Sequence, residues 1–168
     1  MNEWYNEEGD KMNTIYERLN KFLWSHPTYK KVVGFLTIAL KYIMMVSYVM
    51  LLIGFYVTHD DYLIYAIIKP CAAFLIVTVI RKLINQSRPY DYLDITPLFE
   101  HREGCSFPSR HAASAFIIAF TAIHFDLYIG IVMLIFAFLT AITRVLSGLH
   151  HISDVTAGMV LSLIIELL

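Results

Sequence analysis

The chain has 168 residues, of which 58% are hydrophobic and 16% are charged, and its mean hydropathy is +0.59. A soluble domain is nearer half apolar and a quarter charged, and the apolar residues here lie in runs too long for a soluble core. The length predicts a single domain. The net charge of −1 gives no reason to expect nucleic acid as a partner, and the two cysteines lack a metal-ligand spacing.

Residues 1–31 differ from the rest of the chain because they carry five acidic and five basic side chains. Within them, Ile15, Leu19, Phe22 and Leu23 recur at helical spacing beside aromatic residues. This pattern predicts an amphipathic helix that lies in the membrane interface. The alternative is a solvated helix that packs on the rest of the protein.

Residues 32–168 contain five apolar runs, each of a length suited to crossing roughly 30 Å of hydrocarbon. The predicted spans are residues 32–57, 62–80, 108–125, 127–145 and 152–168. The predicted fold is therefore all-α, an integral membrane bundle of about five transmembrane helices plus the N-terminal interfacial helix. Lys41 and Lys69 lie inside the first two runs, where we expect them to pack against helices or snorkel.

The order of the spans gathers the polar residues on one face of the membrane. Spans two and four end on the face where spans three and five begin, and the long polar stretch 81–107 lies there too. Connections of that length inside a compact domain are usually functional. The residues expected on this face are Arg81, Lys82, Arg88, Arg102, Arg110, His111, Arg144, His150 and Asp154.

These residue types suit the binding of a phosphate. The planar guanidinium groups of Arg88 and Arg144 can each donate two parallel hydrogen bonds to phosphate oxygens. Span three opens with Pro108 and Ser109, and a helix N-terminus of this kind offers free N–H groups and a positive dipole end to an anion. The Ser109 hydroxyl adds a donor at the same place.

Three segments on this face resemble the type 2 phosphatidic acid phosphatase superfamily, which also includes bacterial acid phosphatases and vanadium haloperoxidases. They are RKLINQSRP at 81–89, FPSRH at 107–111 and TRVLSGLHHISD at 143–154. The family pattern is K-x6-R-P, then P-S-G-H, then S-R-x5-H-x3-D. The resemblance extends from Arg81 to the C-terminus and keeps the order and spacing of all three motifs.

The resemblance implies that His150 is the nucleophile and forms a phosphohistidine. Asp154 lies four residues later, one helical turn away, and can orient the imidazole. His111 is implied as the general acid for the leaving group and then as the base that activates water. No metal or other cofactor is required, because arginines neutralise the phosphate. The implied phosphate-binding residues are Arg81, Arg88, Ser109, Arg110 and Arg144.

The sequence departs from the family pattern in three places. Arg81 replaces the usual lysine, and the neighbouring Lys82 is an alternative for that position. Arg110 replaces glycine and adds a long cation that can reach a second phosphate or a lipid headgroup. Thr143 replaces serine, which is a mild change.

The predicted function is hydrolysis of a lipid phosphomonoester of the phosphatidate or phosphatidylglycerophosphate type. The alternative is a polyprenyl substrate such as undecaprenyl diphosphate, and a third hypothesis is a lipid-binding membrane protein without catalysis. The expected partners are a lipid phosphate and membrane lipids, with the oligomeric state left open.

The membrane face that carries the site is a separate question. Lys30 and Lys31 favour a cytoplasmic site, but six-span relatives of the family place the site outside the cytoplasm. We expect the site on the extracytoplasmic face of the cell membrane.

Overall fold

The computed structural model describes residues 8–99 and 104–168, and within these the chain is helical with short connections and no strand. The all-α prediction is confirmed. Arg102, one of the residues predicted at the site face, lies outside the described residues, as do the first seven residues of the N-terminal segment. The helices are α1 (Glu8–Ser25), α2 (Pro27–Val57), α3 (Leu63–Ile84), the short α4 (Pro89–Tyr92), α5 (Arg110–Phe125), α6 (Leu127–Leu146) and α7 (Ile152–Leu167).

In the described part of the chain, three helical segments are long and apolar enough to cross a membrane. They are Pro27–Val57, Leu63–Tyr92 and Leu127–Leu146. The protein is therefore a multi-pass membrane protein. The other two predicted spans correspond to α5 and α7, which have 16 residues each and reach about 24 Å. The number of five transmembrane helices stays a prediction.

The start of the first span differs from the sequence prediction because of a proline. The first span begins at Pro27 instead of residue 32, since proline is well suited to the first turn of a helix and His26 forms the N-cap. The third span opens in the predicted order, with Pro108, then Ser109 as the N-cap of α5, and then the helix from Arg110.

The inner helix of the bundle is α5, and small residues let its neighbours approach it closely. Its buried residues include Ala112, Ala113, Ala115, Ala119 and Ala122. On α7, a Cβ added to Gly158 would lie 2.9 Å from the Ser109 carbonyl oxygen, and Ser162 donates a hydrogen bond of 2.8 Å to the carbonyl of Ala113. Small side chains and polar contacts of this kind hold helices together in lipid. They fix the start of α7 beside the start of α5.

The outer helices α2, α3 and α6 expose many large apolar side chains, as expected of helices that face lipid. Buried residues on these helices are mostly small or medium-sized, while the exposed set is large and apolar. Its members include Phe35, Met50, Tyr56, Leu75, Leu83, Tyr128 and Ile135. This distribution is the reverse of a soluble protein and agrees with the bilayer as solvent.

A partly buried polar network joins α3, α5 and α7 at the end of the bundle away from the predicted site. Glu166 on α7 accepts a hydrogen bond from the Tyr62 hydroxyl and pairs with Lys69 Nζ at 3.3 Å and His124 Nε2 at 3.0 Å. Lys69 also donates to the Glu166 carbonyl at 2.6 Å. Lys69 is therefore a helix-packing residue. The sequence analysis did not single out Glu166, because an acidic residue near the end of an apolar run usually lies in solvent.

Helix α1 docks on the connections at the predicted site face. Asn20 exchanges two hydrogen bonds with the main chain of Thr96, at 2.8 and 3.0 Å, and the hydroxyl of Tyr16 accepts one from the Ile152 N–H at 2.8 Å. The face that packs is Tyr16, Asn20 and Leu23, and three of the four predicted apolar residues point outward instead. The exposed residues are Ile15, Leu19 and Phe22. Their contact with the membrane interface stays a prediction.

Candidate active site

Four segments converge at one end of the bundle and bring most of the predicted site residues together. Arg81 comes from the last turn of α3 and Arg88 from the connection that follows it, whereas Arg144 comes from the last turn of α6. His150 precedes α7 and Asp154 lies in its first turn. All five side chains are buried. The convergence agrees with the single polar face expected from the order of the spans.

The imidazole of His150 is held by Asp154. Its Nδ1 atom lies 3.2 Å from Asp154 Oδ2, which also accepts hydrogen bonds from the Ser106 hydroxyl and from the His151 N–H at 2.9 Å. An ionised carboxylate only accepts hydrogen bonds, so Nδ1 carries the proton. The lone pair of the ring is then on Nε2.

His150 lies in the connection between α6 and α7, and its surroundings favour the neutral imidazole. Burial lowers the pKa of His150 to about 4, against the hydrogen bond and the charge of Asp154, which raise it. The charges of Arg88 and Arg81 lower it further. At neutral pH the ring is therefore uncharged and its Nε2 lone pair is available.

Two of the arginines are fixed by main-chain carbonyl groups. Arg81 Nη1 donates to the carbonyls of Ser106 and Pro108 at 3.2 and 2.9 Å. Arg88 donates from Nε to Gly104 at 3.1 Å and from Nη1 to Leu149 at 3.1 Å. A carbonyl oxygen orients a guanidinium group but leaves its positive charge in place. The remaining N–H donors can therefore act on an anion.

The third arginine, Arg144, is buried without a counter-ion among the described residues. Its Nε atom has no hydrogen-bond partner there, and none of the ion pairs in the described part of the chain includes it. Arg88 is close enough to repel it electrostatically. An unsatisfied buried donor in a native site often marks the position of a missing ion. The site as a whole therefore combines three buried guanidinium groups with one buried carboxylate.

The N-terminus of α5 lies against this cluster. Ser109 is fully buried, its N–H donates to the Asp154 carbonyl at 2.9 Å, and its Oγ accepts from the Ala112 N–H at 3.4 Å. The hydroxyl keeps its own proton and can donate it to a ligand. Arg110 is exposed and His111 is half-buried, and both line a cavity of about 380 Å³ that also reaches α2 and α3.

The structure distinguishes between the two candidates for the first motif position. Arg81 is buried in the cluster, whereas Lys82 is exposed. Successive residues of a helix point in directions about 100° apart, so the two side chains cannot both face the site. It is Arg81 that the structure places there.

Two neighbours of the predicted residues emerge only from the structure. Ser106 is fully buried and joins Asp154 to His150, with its Oγ 3.4 Å from Nδ1. Its position one residue before FPSRH was the only signal in the sequence. The side chain of His151 contacts Tyr92, whose hydroxyl lies 2.8 Å from Nε2, and Tyr16, which meets its ring edge-on. The Nδ1 atom of His151 also lies 3.4 Å from Asp154 Oδ2, but this nitrogen has no hydrogen-bond partner among the described residues.

Comparison with known sequences identifies the family. The model of the PAP2 superfamily matches residues 61–168, which is more than half of the chain and includes all three motifs. The chain is 33% identical over 102 residues to the bacitracin transport permease protein BcrC of Bacillus licheniformis, covering 60% of this chain and 50% of that protein. It is 28% identical over 127 residues to the undecaprenyl-diphosphatase BcrC of Bacillus subtilis strain 168, covering 73% and 66%. The chain thus spans about half to two thirds of these relatives.

Solved structures show the same fold. LpxE of Aquifex aeolicus superposes with a TM-score of 0.74 at 24% identity, covering 92% of this chain and 91% of that one. A transmembrane PAP2-type phosphatidylglycerolphosphate phosphatase from Bacillus subtilis superposes with a TM-score of 0.71 at 20% identity, covering 97% and 85%. The predicted helical membrane bundle is confirmed. With its motifs, its fold and the match to the family model, this chain belongs to the PAP2 superfamily.

Proposed function

We propose that this protein is a membrane lipid phosphate phosphatase that works through a phosphohistidine at His150. One observation carries the proposal: a buried, neutral imidazole is oriented by Asp154 and lies beside the buried Arg81 and Arg88, with the buried Arg144 next to Arg88, and none of these arginines forms an ion pair within the described residues. A phosphoryl group supplies what this arrangement lacks, because it brings several anionic oxygens and an electrophilic phosphorus.

In the first step, Nε2 of His150 attacks phosphorus while the bond to the leaving oxygen breaks. Asp154 stabilises the positive charge that develops on the imidazole, as a carboxylate does for a catalytic histidine. Arg81, Arg88 and Arg144 stabilise the charge on the equatorial oxygens. The leaving oxygen of the lipid takes a proton from His111 and departs. The products of this step are the dephosphorylated lipid and phosphohistidine.

In the second step, water attacks phosphorus and the P–N bond breaks. His111, which lost its proton in the first step, accepts one from the water. The electron pair of the broken bond returns to Nε2 of His150, and inorganic phosphate leaves. The imidazole then has its original tautomer, with the Nδ1 proton still on the Asp154 side. Ser109 adds a hydrogen-bond donor at the N-terminus of α5.

The mechanism proposed here needs no metal ion. The charge that Mg²⁺ would neutralise is neutralised by guanidinium groups, and a concentration of buried cations repels a divalent metal. The residues that the structure describes include no group of three or more histidine, cysteine or acidic side chains able to hold one. Hard divalent cations prefer several oxygen ligands.

A lipid is the substrate class that the fold favours, because the cluster lies at one end of a bundle whose outer surface is apolar. Phosphatidate and phosphatidylglycerophosphate are the leading substrates. Undecaprenyl diphosphate is the alternative, supported by the similarity to a protein named undecaprenyl-diphosphatase. A complete set of His111, His150 and Asp154 argues against a protein without catalysis. We place the site on the extracytoplasmic face as part of the same proposal.

Replacement of His150 by alanine tests the nucleophile. His150→Ala should reduce phosphate release from a lipid phosphate in detergent micelles to the background level, with an unchanged thermal unfolding temperature. His151→Ala is the matched control, since His151 Nε2 lies 2.8 Å from the Tyr92 hydroxyl and its Nδ1, although 3.4 Å from Asp154 Oδ2, has no hydrogen-bond partner in the described part of the chain; this variant should keep most of the activity. Substantial turnover by His150→Ala, or loss in His151→Ala alone, contradicts the assignment.

The same assay is run in excess EDTA to test the metal-independent mechanism. Wild-type turnover should not change, and orthovanadate should inhibit it by occupying the arginine cluster as a phosphate analogue. A loss of turnover that Mg²⁺ restores would contradict this part of the proposal and leave the nucleophile assignment standing.

The pH dependence of kcat/KM follows from the environment of His150. Since the pKa of the buried imidazole is about 4, the nucleophile is neutral above that pH and becomes protonated and inactive below it. After correction for ionisation of the substrate phosphate, kcat/KM should fall on the acid side with an apparent pKa of about 4. Assays after brief exposure and return to neutral pH control for unfolding. An enzyme-derived limb near 6.5, the ordinary value for histidine, would contradict the burial argument.

Replacement of Arg144 by lysine separates phosphate binding from membrane anchoring. A lysine preserves the charge but not the planar fork, so Arg144→Lys should lose about 3 kcal/mol of transition-state stabilisation, about a hundredfold in kcat. The exposed Lys82 provides the control, because Lys82→Arg should leave kcat unchanged. Thermal unfolding should be the same in both variants. A near-normal kcat in Arg144→Lys would assign this arginine to the membrane interface instead.

A further inference from the structure

The cavity beside His111 combines two cations with apolar walls. Its volume is about 380 Å³, and it is lined by Lys41 of α2 and by Arg110 and His111 of α5, together with apolar residues. We propose that Lys41 and Arg110 form a subsite for a second phosphate of the substrate, on the leaving-group side of the scissile bond. The lipid chain attached to that phosphate then lies along the apolar walls. This inference rests on the proposed function.

Lys41 is an exposed charged residue within a membrane-spanning helix, and its side chain lines the cavity. It lies in the middle of α2, in the segment Pro27–Val57 that is long and apolar enough to cross the bilayer. A charge at this depth is costly unless it is paired or faces a polar cavity. Among the described residues, no carboxylate lies within ion-pair distance of it, and its nearest favourable contact is the ring of Tyr42 at 4.5 Å.

Arg110 brings a second cation to the same cavity, at the step where the leaving group departs. It is the first residue of α5 and directly precedes His111, the proposed proton donor to the leaving oxygen. Its side chain is exposed, and its charge adds to that of Arg81, with which it interacts electrostatically. An anionic group bonded to the leaving oxygen, or a few atoms from it, therefore lies within reach of both Arg110 and Lys41.

The apolar walls identify what is attached to that second phosphate. Met44, Met45, Phe74 and Ile118 line the cavity beyond the cations. A volume of this size lies within the range of small-molecule pockets and suits the first segment of a lipid chain. Charge and apolar surface in one cavity match an amphiphile with phosphate at its head.

A second phosphate changes the chemistry of the leaving group. The bond from His150 Nε2 to the terminal phosphorus forms, and the bond from that phosphorus to the bridging oxygen breaks. The electron pair stays on the bridging oxygen, which becomes a terminal oxygen of a lipid monophosphate. Cations then stabilise the leaving group directly, whereas an alkoxide from a monophosphate depends on the His111 proton.

The second phosphate can have two sources. In a polyprenyl diphosphate it is bonded directly to the scissile oxygen, whereas in phosphatidylglycerophosphate a glycerol separates the two phosphates. The experiment therefore uses two matched pairs of substrates in detergent micelles. One pair is a polyprenyl diphosphate and the monophosphate of the same chain, and the other is phosphatidylglycerophosphate and phosphatidate with the same acyl chains.

Lys41→Met is the informative variant, because it removes the charge and keeps an apolar side chain of similar length. It should lower kcat/KM by about tenfold or more for the substrate with a second phosphate in one pair, as expected for loss of a charge-assisted contact. For the substrate with one phosphate, kcat/KM should change by about twofold or less. Lys41→Arg should restore kcat/KM for the substrate with the second phosphate, and Lys82→Met, at an exposed position, should leave kcat/KM unchanged for both members of each pair.

If Lys41→Met lowers kcat/KM selectively for the polyprenyl diphosphate, the subsite binds a phosphate bonded directly to the scissile oxygen. If the selective loss is for phosphatidylglycerophosphate, the subsite binds a phosphate that a glycerol separates from the scissile one. Equal losses on both members of each pair, or no loss in Lys41→Met, overturn the subsite. In that case, turnover by the wild type and inactivity of His150→Ala leave the proposed function standing. If the folded wild type releases phosphate from none of the four substrates, both the proposed function and the subsite are contradicted.

Discussion

The burial of three guanidinium groups around one carboxylate is the constraint on which the rest of the site depends. Cations out of water are costly, and main-chain carbonyls that hold Arg81 and Arg88 do not cancel their charge. Arg144 has an unsatisfied donor among the described residues. In the single carboxylate, Asp154, Oδ2 is engaged by His150, Ser106 and the main chain, whereas Oδ1 has no hydrogen-bond partner among the described residues. An anion with several oxygens completes this set of donors, and a phosphate ester does so with an electrophilic centre near His150.

The scaffold that supports this cluster is tied together at both ends of α7. At the site end, Asp154 accepts hydrogen bonds from Ser106 and its carbonyl accepts one from the N-cap of α5. At the other end, Glu166 pairs with Lys69 of α3 and His124 of α5. Between these ends, Gly158 lets the helices approach closely. Lipid gives apolar helices little reason to associate with one another, so close packing and polar contacts must position α7. The geometry of the proposed nucleophile, His150, is thereby linked to the packing of the bundle.

Much of this could be predicted from the sequence, because two kinds of information are local. Apolar runs predicted the helices, and motif spacing brought His150, Asp154 and the arginines to one face. Residues without a local signal were missed: Ser106 belongs to no motif, and the partners of Glu166, Lys69 and Tyr62, lie about a hundred residues away in the sequence. The docking face of α1 was also missed, since Tyr16 and Asn20 bind polar main-chain groups and do not follow the apolar pattern. The choice between Arg81 and Lys82 depends on which side of α3 faces the cluster, and the sequence alone did not determine this.

The central claim is that His150 takes the phosphoryl group, and trapping that intermediate tests it most directly. Enzyme mixed with a lipid phosphate carrying a radioactive phosphoryl group would be quenched in alkali, in which phosphohistidine survives, and digested for peptide mapping. The account predicts label on the peptide that contains His150, attached through a bond that is stable to alkali and cleaved by acid, and no label in His150→Ala. Label on His111 or His151, or steady phosphate release by wild-type enzyme with no protein-bound label at any quench time, would contradict it.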